Sequence, residues 1–164
     1  METIYLSLGS NVGDRLSHLR KAVTRLRDDP AIQVLRQSKI YETSPVGPRQ
    51  RDFLNAVVKT RTPLEPGLLL QRLKKIERAL GRRSGPRRGP RPIDLDILIF
   101  GRRRLRDPRL TVPHPQLKRR LFVLKPLSDL APHLRDPATG KTISQLLRKL
   151  TRSGQRAKVY RPTH

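Results

Sequence analysis

Residues 3–8 and 53–60 alternate apolar and polar side chains with period two, residues 14–28 and 63–80 repeat theirs every three or four positions, and residues 93–100 form a short β-branched run. This order of periods, β-α-β-β-α-β, predicts a ferredoxin-like α+β sandwich with a mainly antiparallel sheet and a small C-terminal extension.

Each element has its own local warrant. Ile4, Leu6 and Leu8 alternate with Tyr5 and Ser7, which predicts a half-buried strand closed by a turn at Gly9-Ser10-Asn11. Asp14 is a helix cap, and Leu16, Leu19, Val23 and Leu26 then mark one helix face until Asp28-Asp29-Pro30 stops it. Residues 32–41 read as one strand, and a loop over 42–52 carries Pro45, Gly47 and Pro48. In the strand over 53–60, Leu54, Ala56 and Val58 share one face, and Phe53, Asn55 and Val57 the other. The helix over 63–80 buries Leu69, Leu73, Ile76 and Leu80 and ends at Gly81. A turn at Thr111-Val112-Pro113-His114 leads into a short helix, Phe122-Val123-Leu124 reads as a brief extended piece, and 143–150 as a last helix. Residues 1–150 thus form the expected domain, and 151–164 a basic, mobile tail.

Composition narrows the function classes. At 164 residues the chain suits a single domain with a real core. No stretch approaches the roughly 20 apolar residues of a membrane span, and the first residues enter a strand with no signal-peptide pattern. The expectation is a cytoplasmic monomer with no membrane partner. The absence of cysteine excludes disulfides and thiolate metal sites. A net charge of +24, from 37 Lys+Arg against 13 Asp+Glu, points to an anionic partner such as nucleic acid, anionic lipid or polyphosphate.

Chemistry concentrates around Asp94-Leu95-Asp96. On a strand, Asp94 and Asp96 fall on one face about 7 Å apart, with Leu95, Ile97 and Ile99 on the other. Asp96 lies within an apolar run, where an ionised carboxylate requires a cation or several donors. Just upstream, Gly81 to Arg91 forms a loop holding Arg82, Arg83, Arg87, Arg88 and Arg91, with Gly85 and Gly89 as hinges for a lid. Carboxylates for Mg²⁺ beside guanidiniums for phosphate are the parts needed for phosphoryl transfer. A second basic cluster gathers Arg109, Thr111, His114, Lys118, Arg119 and Arg120 around a Pro-His-Pro turn. Phe53 and Phe122 stand out because aromatics are only 4% of the chain, and Asn55 beside Phe53 suits the edge of a flat heterocycle.

In order along the chain stand Leu8-Gly9-Ser10-Asn11, Tyr41-Glu42-Thr43-Ser44-Pro45-Val46-Gly47-Pro48, Asp52-Phe53-Leu54-Asn55-Ala56-Val57 and Ile76-Glu77-Arg78. Gly89-Pro90-Arg91-Pro92-Ile93-Asp94-Leu95-Asp96 and Leu110-Thr111-Val112-Pro113-His114-Pro115 complete the series. Together these motifs resemble the 6-hydroxymethyl-7,8-dihydropterin pyrophosphokinases of folate biosynthesis, over nearly the whole chain to about residue 150. The resemblance implies transfer of pyrophosphate from ATP to the hydroxymethyl group of 6-hydroxymethyl-7,8-dihydropterin, with release of AMP. It implies two Mg²⁺ ions on Asp94 and Asp96, with Arg82 and Arg91 as catalytic positive groups on the phosphates. It maps Glu77, Arg88, Ile97, Arg109, Thr111, His114 and Arg120 around ATP, and Thr43, Val46, Phe53, Asn55 and Phe122 around the pterin. The chain departs from the family pattern at Arg88, where Trp is usual, and at Ser84, where a second arginine is common. A planar guanidinium can stack on a ring and still reach a phosphate, so the expectation is that Arg88 keeps that wall by other means.

The alternative is an RNA-binding domain, since such sheets also host RNA and +24 suits a phosphate backbone. The aspartates on the equivalent strand oppose it, because they repel phosphates. A nucleic-acid partner is therefore not expected.

Overall fold

The computed structural model describes residues 1–44, 49–82, 89–151 and 155–162. In order these form β1 (Glu2–Ser10), α1 (Arg15–Asp28), β2 (Gln33–Gln37), β3 (Tyr41–Thr43), β4 (Phe53–Thr62) and α2 (Pro66–Ala79). There follow β5 (Asp94–Phe100), β6 (Leu105–Arg106), β7 (Thr111–Val112), a 3-10 turn, α3 (Leu121–Leu130), α4 (Ile143–Leu150) and β8 (Ala157–Val159). The main sheet runs β5-β1-β4-β3-β8, with β2 also on β4, and its pairings are antiparallel. The predicted α+β sandwich is present, with β1 and β4 at its centre.

Ile4, Leu6 and Leu8 of β1 meet Leu95, Ile97 and Phe100 of β5 and Leu54 and Val58 of β4 on one face, under α1 and α2. Asp14 caps α1 by accepting from the Ser17 amide at 3.0 Å. Helix α2 starts at Pro66, whose missing N–H costs nothing in a first turn. It ends in a Schellman turn: Gly81 takes φ +96°, its amide donates to the Arg78 carbonyl, and the Arg82 amide donates to that of Glu77. This stop, legible as a glycine in the sequence, delivers Arg82 back towards the sheet.

The other face departs from expectation. Tyr5 and Ser7 are buried, not half-exposed: α3 and α4 pack over Tyr5, and Ser7 lies at the base of the cleft described below. Val123, Leu124 and Leu127 of α3 and Ile143 and Leu146 of α4 pack on Tyr5, Val57, Leu98 and Ile99. Residues 122–124 are therefore helical rather than extended: an apolar run that short carries no period of its own, and its partners decide it. Leu98 is a bulge, since Ile97 pairs with Leu6 and Ile99 with Tyr5. The extra residue turns Ile99 to the α3 side, away from Leu95 and Ile97, which alternation alone had grouped it with.

Three smaller differences share one cause, backbone pairing. The expected strand over 32–41 breaks at Ser38, whose amide donates to the Val57 carbonyl and whose hydroxyl accepts from the Val57 amide. Gly9 and Ser10 belong to β1 rather than to a turn, because they pair with Asn55 and Leu54. In the stretch expected as a loose basic tail, Ala157–Val159 adds a strand to the free edge of β3.

Truncating Leu127, fully buried in the second cluster, should cost roughly 2–4 kcal/mol as Leu127→Ala in urea unfolding. Leu68→Ala, at a site 51% exposed, should stay within about 0.5 kcal/mol of the parent.

Candidate active site

Helices α3 and α4 stop short of one end of the sheet, and that uncovered end is a cleft. Ser7, Gly9, Thr43, Ser44, Phe53, Asn55, Arg91, Asp94, Asp96, Arg120 and Phe122 line it. Strand register assembles them: Asp96 lies opposite Ser7, Asp94 and Asn55 flank Gly9, and Thr43 lies opposite Phe53. Asp94 and Asp96 share this face of β5, as alternation requires.

The two carboxylates are in different states. Asp94 accepts from Arg82 Nη1 at 2.7 Å and from Arg91 Nη1 at 2.9 Å, one guanidinium on each oxygen. Asp96 takes no hydrogen bond from the described residues. Burial, then the charges of Asp94 and Glu77, push its carboxyl up to about 7, against the pull of Arg120 and Lys74. Glu77 is buried at the end of α2, where one oxygen accepts from both Arg82 Nη1 at 2.6 Å and the Leu95 amide at 2.8 Å. It thus ties α2, the arginine and β5 together. Burial raises its carboxyl, and the Leu95 amide and the Arg82 and Lys74 charges oppose the shift.

Hard carboxylate oxygens, one pair of them without donors and destabilised by like charge, suit a divalent cation such as Mg²⁺. Among the described residues no group of three or more acidic, His or Cys side chains converges. The protein therefore offers Asp94 and Asp96, and the remaining Mg²⁺ shell would fall to water and substrate oxygens, which is how Mg²⁺ is usually held.

The rest of the cleft is lined by aromatic and amide side chains. Asn55 Nδ2 donates to Thr43 Oγ1 at 2.5 Å, and both residues are buried. That bond leaves the amide's carbonyl oxygen and second N–H beside the cleft. Phe53 and Phe122 contribute aromatic faces, and the Arg120 guanidinium lies 5.4 Å from the Phe122 ring centre. Gly9 keeps the floor flat, since a Cβ there would sit 2.9 Å from Asn55 Oδ1 and 3.5 Å from Phe53.

The remaining predicted residues are spread more widely. Thr111 and His114 line a neighbouring groove with Arg104, Arg106 and Lys118. The His114 amide donates to the carbonyl of the bulged Leu98, and its Nδ1 accepts from the Gln116 amide. Burial and the Arg120 charge lower its pKa to about 4, so the ring is neutral with Nε2–H as donor. Arg109 is exposed and lines neither space. The Ile97 side chain packs in the core on the far face, so only its backbone is on offer to a ligand. Val46 and Arg88 lie outside the described residues.

Sequence reasoning passed over Asn11 and gave Gly9 only a turn. Asn11 is buried, accepts at Oδ1 from the Arg91 amide at 2.8 Å, and donates from Nδ2 to Gln50 Oε1 and the Arg51 carbonyl. It fixes the backbone from which Arg91 reaches Asp94. The motif Leu8-Gly9-Ser10-Asn11 held both signals, but without a register neither residue could be placed against Asn55 or Arg91.

Residues 5–132 match the model of the 7,8-dihydro-6-hydroxymethylpterin-pyrophosphokinase family. The chain belongs to this family. A 2-amino-4-hydroxy-6-hydroxymethyldihydropteridine pyrophosphokinase of Bacillus subtilis (strain 168) is 45% identical over 142 residues, covering 86% of this chain and 85% of the relative. One from Synechocystis sp. is 43% identical over 145 residues, covering 88% and 74%. The crystal structure of an HPPK-DHPS in complex with substrates aligns at TM-score 0.75 over 93% of this chain and 44% of that one. At 14% identity that likeness speaks for the fold alone. For a pyrophosphokinase of this family ATP is the co-substrate, and no helix among the described residues is long and apolar enough to cross a membrane.

The raised Asp96 carboxyl gives this pyrophosphokinase a stability signature. Its folded value of about 7 exceeds the ordinary 3.8, so the folded state binds the extra proton between those values. The penalty is full above about pH 7 and disappears as pH falls towards 4. Without metal, Asp96→Asn should be more stable than the parent at pH 8, by up to about 4 kcal/mol for a shift of that size. Denaturant unfolding of both proteins from pH 8 to 5 should show this gap closing.

Proposed function

We propose that this chain transfers the β,γ-pyrophosphoryl group of ATP to the hydroxymethyl oxygen of 6-hydroxymethyl-7,8-dihydropterin, releasing AMP, with Asp94 and Asp96 holding two Mg²⁺ ions. One observation carries the reading: a carboxylate pair with arginines beside it shares its cleft with two Phe faces and a buried amide. Bound Mg²⁺ supplies positive charge to the phosphate oxygens and makes the attacking hydroxyl more acidic.

The side chains position and neutralise. Asn55 and Thr43 offer hydrogen bonds to the pterin's polar edge, while Phe53 and Phe122 flank its faces and exclude water. A ring held there would have the floor at Gly9, with Asp94 paired to it and Asp96 beside it, within reach of its hydroxymethyl group. Arg82 and Arg91 rest on Asp94 in the free protein and are partly exposed, so an incoming triphosphate competes with that carboxylate for them. On the phosphates they stabilise charge that grows in the transition state. Glu77 keeps Arg82 within reach of both positions. Thr111 and His114 in the neighbouring groove, Arg120 in the cleft and the exposed Arg109 are assigned to ATP, as are Arg88 and the Ile97 backbone in the same reading. Val46 belongs to the pterin side in the same reading. Attack at the β-phosphorus is in line, and no side chain need act as nucleophile.

The same proposal places the chain in the cytoplasm, where ATP is supplied, and as a monomer, which mutual repulsion at +24 favours.

An assay of AMP formed from ATP plus 6-hydroxymethyl-7,8-dihydropterin tests the reaction directly. EDTA should abolish the product, and Asp94→Asn or Asp96→Asn should each reduce turnover by roughly 10³-fold. Near-parental AMP from either variant would remove the metal assignment. Gly9→Ala, whose Cβ meets the Asn55 oxygen, should raise KM for the pterin about tenfold and leave KM for ATP nearly unchanged.

A further inference from the structure

The two walls of the ring cleft come from distant parts of the chain: Thr43 on β3, and Arg120 and Phe122 at the start of α3. Residues 155–160 touch both. Helix α3 begins with Arg120 in the N-cap position, and the arginine makes no side-chain cap. Arginine has no acceptor to offer an N-terminal amide, so the cap must come from elsewhere. Gln155 supplies it: its Oε1 accepts from the Leu121 amide at 3.0 Å, and its Nε2 donates to the Arg119 carbonyl at 2.9 Å. One side-chain amide therefore grips the backbone on both sides of Arg120, and Phe122 is the next residue along.

Two residues later the segment reaches the other wall. Ala157 pairs with Thr43, Lys158 with Glu42 and Val159 with Tyr41. The Tyr160 amide donates to the Ile40 carbonyl at 2.7 Å, and the Arg15 guanidinium lies 5.8 Å from the Tyr160 ring while pairing with Glu42. We propose that residues 155–160 form a latch that sets the separation of the two cleft walls, with Gln155 as a positioning residue for Arg120 and Phe122. The inference rests on the pterin reading of the cleft.

Two variants and two readouts test it. Gln155→Met keeps the length and removes both hydrogen bonds, whereas Gln155→Glu keeps the acceptor for Leu121. The latch predicts that Gln155→Met raises KM for the pterin about fivefold, the size of one lost capping interaction, with kcat within about twofold of the parent. Gln155→Glu should recover most of the KM, and hydrogen exchange at the Leu121 amide should accelerate in the Met variant alone. An unchanged KM in Gln155→Met overturns the proposal even if exchange accelerates, because the cap would then be purely structural. An equal rise in both variants also overturns it, since the shared acceptor would not be the working contact. A parent protein that makes no AMP sinks the pterin reading first. Leu121 exchange then decides by itself whether Gln155 caps α3.

Discussion

Between Ile97 and Ile99 the chain inserts Leu98 with no partner on β1, and much of the site follows from that extra residue. Before the bulge, β5 turns Asp94 and Asp96 to the open face and Leu95 and Ile97 to the core. After it, Leu98 and Ile99 face the α3 layer and Phe100 returns to the first core. A regular strand would carry the same alternation to its end, and only one of these apolar neighbours could reach the second layer. With the bulge, one strand is acidic and open at one end and apolar and covered at the other. The freed Leu98 carbonyl also receives the His114 amide, which anchors the loop of the neighbouring groove to the sheet.

The acidic end is held in a costly arrangement that the surroundings offset unequally. Asp94 has two guanidiniums, and one of them is shared with a buried Glu77. Asp96 takes no hydrogen bond from the described residues, and burial with like charge raises its carboxyl against the pull of Arg120 and Lys74. A folded chain selected for stability alone would place an amide or an apolar residue there. A cation bound between the two carboxylates, as proposed above, would offset that cost. The same physics disfavours the nucleic-acid alternative. Bases stack on open sheet faces of this kind, and their phosphates would here run past the carboxylates of Asp94 and Asp96.

Much of this was legible without coordinates, and the limits are physical. Period-two and period-three-or-four patterns report which side of an element meets a core, so β1, β4, α1 and α2 could be placed from Ile4, Leu54, Leu19 and Leu73. The Schellman stop was visible because Gly81 alone tolerates φ +96° at that position. Asp94 and Asp96 were visible because charge inside an apolar strand demands a partner. What could not be read depends on register and on layers distant in sequence. Residues 121–130 are apolar nearly all round, with Pro126 inside, and only the sheet beneath makes them a helix. Gly9 looks like a turn residue until β4 brings Asn55 within 2.9 Å of its would-be Cβ. Gln155 sits in a polar, basic stretch, and its importance exists only relative to Leu121 and Arg119.

That dependence also separates the ring cleft from the charged end. Asp94, Arg91 and Asp96 are within a few residues of one another, and Glu77 and Arg82 are joined by one helix stop, so local geometry fixes most of the charged end. The ring slot instead needs β3, β4 and the start of α3, separated by most of the chain, to arrive at one spacing. Two aromatic faces grip a heterocycle only when that spacing is right to a fraction of an ångström, because dispersion falls steeply with a small gap. A covalently local device cannot set such a distance. It requires a segment bonded to both walls, and in this fold β8 and Gln155 meet that requirement at the edge strand and the helix start together.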